Sequence, residues 1–252
     1  MKQMIFASDL DNTLLFSYKH KEDDDICVEQ LDGKAQGFCK KDSLQKLEDI
    51  QKKALFVPIT SRSIAQYQRI GFPKSCMPKY ALTTNGAILL VDGNIDTQWY
   101  ADSKKWSDAY KTELQEMEKR FSDVPEIKRF RMIDEMYLFA ACDNAEDAQK
   151  SKAYLEQNTT LQVLLSGRKL YFIPPMLDKG TALKRLREKF DMAYILSAGD
   201  SMMDIPMLEE ADYGIFLHTY ANKQAHIRCY DGQGVRDYTG FVLDCVLQQI
   251  AY

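Results

Sequence analysis

Long apolar runs are missing from this sequence. None reaches the roughly 18 residues that a membrane-spanning helix needs. The first residues pass directly from Met1-Lys2-Gln3 into a short apolar segment and then into acids, without the long apolar stretch of a signal peptide. A cytoplasmic location is therefore expected. A basic excess is also missing. The net charge is −4 and the Lys and Arg residues are spread along the chain, which argues against a nucleic-acid partner. Histidine is scarce: His20, His218 and His226 are too scattered for a metal cluster. No Cys-x-x-Cys pair occurs among Cys27, Cys39, Cys76, Cys142, Cys229 and Cys245, so neither a zinc site nor a redox pair is expected and the thiols read as reduced. Internal repeats and low-complexity linkers are absent too.

The remainder is ordinary globular material. Across 252 residues, 45% are hydrophobic and 28% charged, enough for one core domain carrying a smaller inserted one. Residues 4–8 are a short apolar run ending in acids, the pattern of a buried parallel strand with chemistry at its carboxyl end. Residues 42–53 show helical spacing, with Asp42 or Ser43 as the expected cap. A buried strand over 54–59 follows, then a polar turn, a helix over 64–70 and a strand over 80–83. The segment 16–41 before the first helix is unusually long. It holds a hairpin, 26–31 and 34–39 around Asp32-Gly33, and the four acids Glu22 to Asp25, which read as a solvated loop.

From 87 the texture changes. Residues 88–91 and 95–100 suggest another hairpin, and 103–122 a single helix with Trp106, Tyr110, Leu114, Met117 and Phe121 on its buried face. Strands over 128–133 and 136–141, a helix capped by Asn144, and strands over 161–166 and 169–173 complete an α+β block. After Pro175, helix and buried strand alternate again to the end. The predicted architecture is a Rossmann-like parallel-sheet α/β core formed by 1–86 and 174–252, with an α+β domain, 87–173, inserted.

Several polar groups directly follow apolar strands. Asp9 and Asp11, one residue apart, can point into one cleft. One carboxylate can attack phosphorus, and the other can protonate the leaving oxygen and later activate water. Two acids facing a phosphate need a cation, and magnesium suits carboxylate, water and phosphate oxygens. Asp200 and Asp204 could complete such a site with Asp9. Thr60 and Ser61 suit a phosphoryl oxygen near a helix N-terminus. Lys179 can balance charge on a transferred phosphoryl group. An Asp-x-Asp-x-Thr match alone arises in about one chain in twenty of this length, so the weight rests on the ordered set.

That set resembles the haloacid dehalogenase-like superfamily. The resemblance is carried by Asp9-Leu10-Asp11-Asn12-Thr13, Thr60, Lys179-Gly180-Thr181, and Gly199-Asp200 with Asp204. Thr84-Asn85-Gly86-Ala87 and the placement of the inserted block make it most similar to the Cof-type and sucrose-phosphatase-like branch. The resemblance implies Asp9 as nucleophile and magnesium ligand, and Asp11 as general acid/base whose backbone carbonyl also meets the metal. It implies Thr60 and Lys179 on the phosphoryl group, and Asp200 and Asp204 on Mg2+. Arg62 and Asn85 are expected to face the substrate, with Ser61 near the phosphate. Two positions depart from the branch. Asn12 stands where glycine is common, and asparagine can adopt the left-handed turn. Met203 stands where asparagine is frequent, which removes a polar group beside the metal.

The resulting expectation is a phosphatase acting on a phosphorylated small molecule, a sugar phosphate in this branch, through an aspartyl-phosphate on Asp9. A sugar phosphomutase of the same fold and a non-catalytic sugar-phosphate binder are the alternatives. No residue pattern indicates the oligomeric state.

Overall fold

A computed structural model describes residues 4–191, 194–220 and 223–251. The chain forms two compact units, Met1–Ile95 with Lys179–Tyr252, and Asp96–Asp178. The elements follow one another as β1 (Met4–Ser8), β2 (Phe16–Ser17), β3 (Ile26–Leu31), β4 (Lys34–Cys39), α1 (Lys41–Gln51), β5 (Leu55–Pro58), α2 (Ile64–Tyr67), β6 (Tyr80–Thr83), β7 (Ile88–Val91) and β8 (Asn94–Ile95). The second unit holds α3 (Thr97–Ala109), α4 (Lys111–Phe121), β9 (Ile127–Ile133), β10 (Tyr137–Cys142), α5 (Ala145–Leu155), β11 (Gln162–Ser166) and β12 (Lys169–Ile173). The first unit resumes with α6 (Lys179–Lys189), β13 (Tyr194–Gly199), α7 (Ile205–Glu210), β14 (Tyr213–Phe216), β15 (Ile227–Cys229) and α8 (Val235–Ile250).

The first unit is built on a five-stranded sheet in the order β15-β14-β13-β1-β5, parallel throughout. Ile5, Phe6 and Ala7 of β1 are fully buried, as a central strand covered on both faces requires. Its hydrophobic run is therefore continuous rather than alternating. Pro58, which cannot donate to a ladder, closes the outer strand β5. Phe6 and Leu196 share a core with Leu47 and Ile50 of α1 and with Val242 and Val246 of α8. The predicted α/β class and parallel core are what the chain adopts.

The long segment after β1 forms a three-stranded antiparallel sheet, β2-β4-β3, with the hairpin where its turn residues predict it. Docking runs through Gly71, whose N–H donates to Val28 O at 2.7 Å, and through a bridge between Glu29 and Ile70. This pairing also ends α2 at Tyr67, earlier than the predicted 70, because Ile70 is drawn into the bridge. The acidic run is not simply solvated. Arg236 on α8 pairs with Glu22 at 2.9 Å and also with Asp25, whose side chain is inaccessible to solvent. Helix α1 starts after Lys40 with no side-chain cap, rather than at Asp42 or Ser43.

The second unit is a four-stranded antiparallel sheet, β11-β12-β10-β9, with helices packed on one face. Leu114, Met117 and Phe121 of α4 and Ala148 and Leu155 of α5 meet Leu138, Ala140, Leu170 and Phe172 of the sheet. Two details differ from the sequence reading. Residues 97–100 are helical, because the Asp96 carboxylate accepts from Trp99 N at 3.0 Å and starts α3 there. The predicted helix 103–122 is two helices, broken at Tyr110 with φ −105° and ψ 9°. Only α4 carries the apolar stripe; α3 buries Trp99, Ser103 and Ser107. The units divide at 95/96 and 178/179, later than the expected 86/87 and 173/174. Strand β6 pairs with β7, and β7 with β8, so this hairpin clusters with the parallel sheet. Among the described residues, no helix is long and apolar enough to cross a membrane, and all six cysteines are free.

Candidate active site

The parallel sheet brings the polar groups together at one edge. Asp9 follows β1, Asp200 follows β13, and Thr60 lies two residues beyond β5. Parallel sheets bind ligands at the carboxyl ends of their strands, where the strand order reverses. Here β1 separates β5 from β13, so both sides of Asp9 carry loops of the site. The pairing extends past the strand end: Asp9 N donates to Ala198 O at 2.9 Å, and Ile59 N to Ser8 O at 2.7 Å.

Lys179 begins α6 and is almost wholly buried. Its Nζ donates to Asp9 Oδ1 at 2.6 Å and also to Asp204 Oδ1. The second Asp204 oxygen accepts from Ser201 N at 2.9 Å, Ser201 Oγ at 2.8 Å and Asp200 N at 3.2 Å. Ser201 and Asp204 thus form a capping box that shapes the loop. Gly199 permits the close approach: a Cβ there would stand 2.3 Å from Asp204 Cβ. Two adjacent residues of α8 brace the loops from behind. Tyr238 OH donates to Gly199 O at 2.6 Å, and Thr239 Oγ1 to Thr13 O at 2.9 Å.

One carboxylate oxygen from each of Asp9, Asp200 and Asp204 lies within 4.8 Å of the others. Burial pushes the Asp9 carboxyl well up; Lys179 pulls it down without prevailing, and Asp204, Asp200 and Asp11 add repulsion. Burial, then Asp204, pushes Asp200 up to about 7, against Lys179 and the Asn12 amide. Burial works against the Lys179 ammonium, but Asp204 and Asp9 outweigh it and hold it charged. Three crowded carboxylates, two of them bonded to one ammonium, are a hard-oxygen donor set that suits a divalent cation such as magnesium.

Asn12 takes the left-handed conformation, φ 60°, expected of it. It also donates from Nδ2 to Asp200 Oδ2 at 3.4 Å, linking the two acid loops. Met203 is buried, and the polar contacts to the second Asp204 oxygen come from Ser201 and the Asp200 N–H. Thr60 is fully buried and its Oγ1 accepts from Arg62 N at 3.2 Å. Ser61 is half-buried in the same turn. Asn85 is buried, with φ 57°, and its N–H donates to Thr60 O at 2.9 Å. Arg62, expected to face a substrate, forms a fork on Asp11, with Nε to Oδ2 at 2.8 Å and Nη2 to Oδ1 at 2.7 Å.

Ser201, Tyr238 and Thr239 also support the site. The Ser-x-x-Asp spacing of Ser201 and Asp204 is a readable capping signal. The others act across 40 to 230 residues of chain, roughly, and nothing local marks such long-range contacts.

Residues 87–226 match the family model described as haloacid dehalogenase-like hydrolase. Among solved structures, the chain is similar to the sucrose-phosphatase of Synechocystis sp. PCC6803 in complex with sucrose and phosphate. The TM-score is 0.65 at 18% identity, over 100% of this chain and 98% of that one. It is also similar to the trehalose-6-phosphate phosphatase C-terminal domain of C. albicans, with TM-score 0.62 at 14% identity, over 96% and 92% of the two chains. The Aspergillus fumigatus trehalose-6-phosphate phosphatase gives 0.55 at 13% identity, over 98% and 93%. These likenesses show a shared fold. No curated protein matches the chain.

Proposed function

The chain belongs to the haloacid dehalogenase-like hydrolases, and from that membership we propose that it is a magnesium-dependent phosphatase acting on a phosphorylated small molecule, with Asp9 as nucleophile. The observation that carries this reading is the convergence of Asp9, Lys179 and Asp204, joined by Asp200, at the carboxyl edge of the parallel sheet.

In this reading the Asp9 carboxylate attacks phosphorus and the ester oxygen leaves, taking a proton from Asp11. Water then attacks the aspartyl phosphate, Asp11 accepts its proton, and inorganic phosphate departs as Asp9 is restored. Lys179 holds Asp9 in place and offers positive charge as the phosphoryl group transfers. Thr60 and Ser61, with the backbone of their turn, and Asn85 line the phosphoryl side. Arg62 acts on Asp11. Asp9, Asp200, Asp204 and the Asp11 carbonyl would hold Mg2+, which supplies neutralising charge for a phosphate dianion approaching several carboxylates.

A sugar phosphate is the proposed substrate class. Its support is the shared fold with proteins named for sucrose phosphate and trehalose 6-phosphate hydrolysis. The Asp96–Asp178 unit is the cap of this reading, the part that carries substrate selectivity. The test is a phosphate-release screen over phosphorylated metabolites with magnesium. Release from one or a few sugar phosphates is expected. Isomer interconversion with no free phosphate would replace the phosphatase by a mutase.

A further inference from the structure

The long segment after β1 reaches the site through one buried acid. Glu29 on β3 has only 4% of its side chain exposed, yet it lies on a small surface sheet. Its Oε2 pairs with Arg62 Nη1 at 2.9 Å, and its Oε1 accepts from Arg69 Nε and Nη2, both at 3.0 Å. Arg62 in turn holds both oxygens of Asp11. Asp11, Arg62, Glu29 and Arg69 therefore form a row of alternating charge. The guanidinium of Arg62 is held at both edges, which fixes its plane.

The hairpin is shaped for this. The β3–β4 register shifts on both sides of Glu29, so Val28 and Glu29 are buried in succession where a regular strand would alternate. Bulges of this kind re-aim a side chain. Gly37 on β4 stands opposite, and a Cβ there would come within 3.1 Å of both Glu29 Cβ and Oε2. The room that Glu29 occupies thus depends on a glycine in the partner strand.

We propose that Glu29 is a positioning residue of the active site, which holds Arg62 in its two-pronged grip on Asp11 and so sets the direction of the Asp11 carboxyl. This rests on the reading of Asp11 as general acid/base. Asp11 is half-exposed, so a short side chain at the site's edge is given one orientation by a partner that is itself immobilised. Misdirection of such a group slows proton transfer while leaving substrate binding in place.

The experiment compares Glu29→Gln with the parent enzyme on two esters in the presence of magnesium. One is an alkyl phosphate substrate found in the metabolite screen, whose leaving oxygen needs a proton. The other is p-nitrophenyl phosphate, whose leaving group departs without one. The expected result is a kcat/KM lower by about tenfold on the alkyl ester and by less than about twofold on the aryl ester, since kcat/KM reports transfer to Asp9 and not the shared, Asp11-assisted hydrolysis of the aspartyl phosphate. Equal losses of kcat/KM on both esters, or no loss on either, would overturn the positioning role. Should Glu29→Gln not fold, Gly37→Ala, which crowds Glu29 without removing its charge, is read by the same pattern. Asp11→Asn separates the two ideas. If it hydrolyses the alkyl ester as well as the parent does, the acid/base reading of Asp11 falls and this inference with it. If it is impaired while the Glu29 variant loses kcat/KM equally on both esters, only the inference falls.

Discussion

Lys179 Nζ lies 2.6 Å from Asp9 Oδ1 and bonds Asp204 as well, so a single ammonium joins the end of β1 to the loop after β13. All three groups are buried. Burial works against the ionised forms of Asp9 and Asp200, and a divalent cation among the three carboxylates would favour them.

Replacing Lys179 by Met removes the only ammonium bonded to these two acids among the described contacts. Breaking a buried pair from one side leaves uncompensated charge, at a cost of about 3–5 kcal/mol. Urea denaturation in the presence of a chelator should show that loss. Added magnesium should recover part of it, because a cation would again stand between the acids.

Magnesium should raise the melting temperature of the parent protein, since a ligand that binds only the folded state stabilises it. Asp200→Asn removes one of the three carboxylates that approach within 4.8 Å. The magnesium-induced shift should shrink or vanish in that variant, and a chelator should stop phosphate release by the parent. An undiminished shift in Asp200→Asn would place the ion elsewhere.

Glu113 gives the second unit a pH dependence independent of the acid cluster. Desolvation works against its carboxylate, but Thr159 Oγ1 at 2.6 Å and Thr160 Oγ1 at 2.7 Å, with backbone N–H help, hold it below the ordinary value of 4.5. A carboxyl whose folded value is depressed contributes stability above the unfolded value and loses it as pH falls through the folded one. Stability should therefore drop as pH falls below about 4.5, and Glu113→Gln should flatten that drop. Its benefit at neutral pH is small because the half-buried side chain is still screened by solvent. An unchanged acid limb in the variant would remove Glu113 as its source.

Much of this was legible in the sequence because its signals are local. Apolar runs mark β1 and β6, and the turn at Asp32-Gly33 places β3 and β4 at their observed bounds. Asp9, Lys179, Asp200 and Asp204 stand out because each follows a strand or opens a helix, and the structure brings them together. Apolar Ile95 and Trp99 suggest a strand, but the Asp96 cap prevails and starts α3. The break at Tyr110 has no mark in the sequence because helical spacing continues across it. The Glu29–Arg62–Asp11 row has no local pattern at all, since the bulge that buries Glu29 arises only when β3 pairs with β4.

Borohydride trapping during turnover, followed by peptide mass spectrometry, tests the role of Asp9 most directly. Hydride reduces an acyl phosphate, so an aspartyl-phosphate intermediate would leave homoserine at the position of the nucleophile. The expected result is homoserine at Asp9, formed only when substrate and magnesium are both present, with turnover lost in Asp9→Asn. Homoserine at another position, or full turnover by Asp9→Asn, would contradict the assignment.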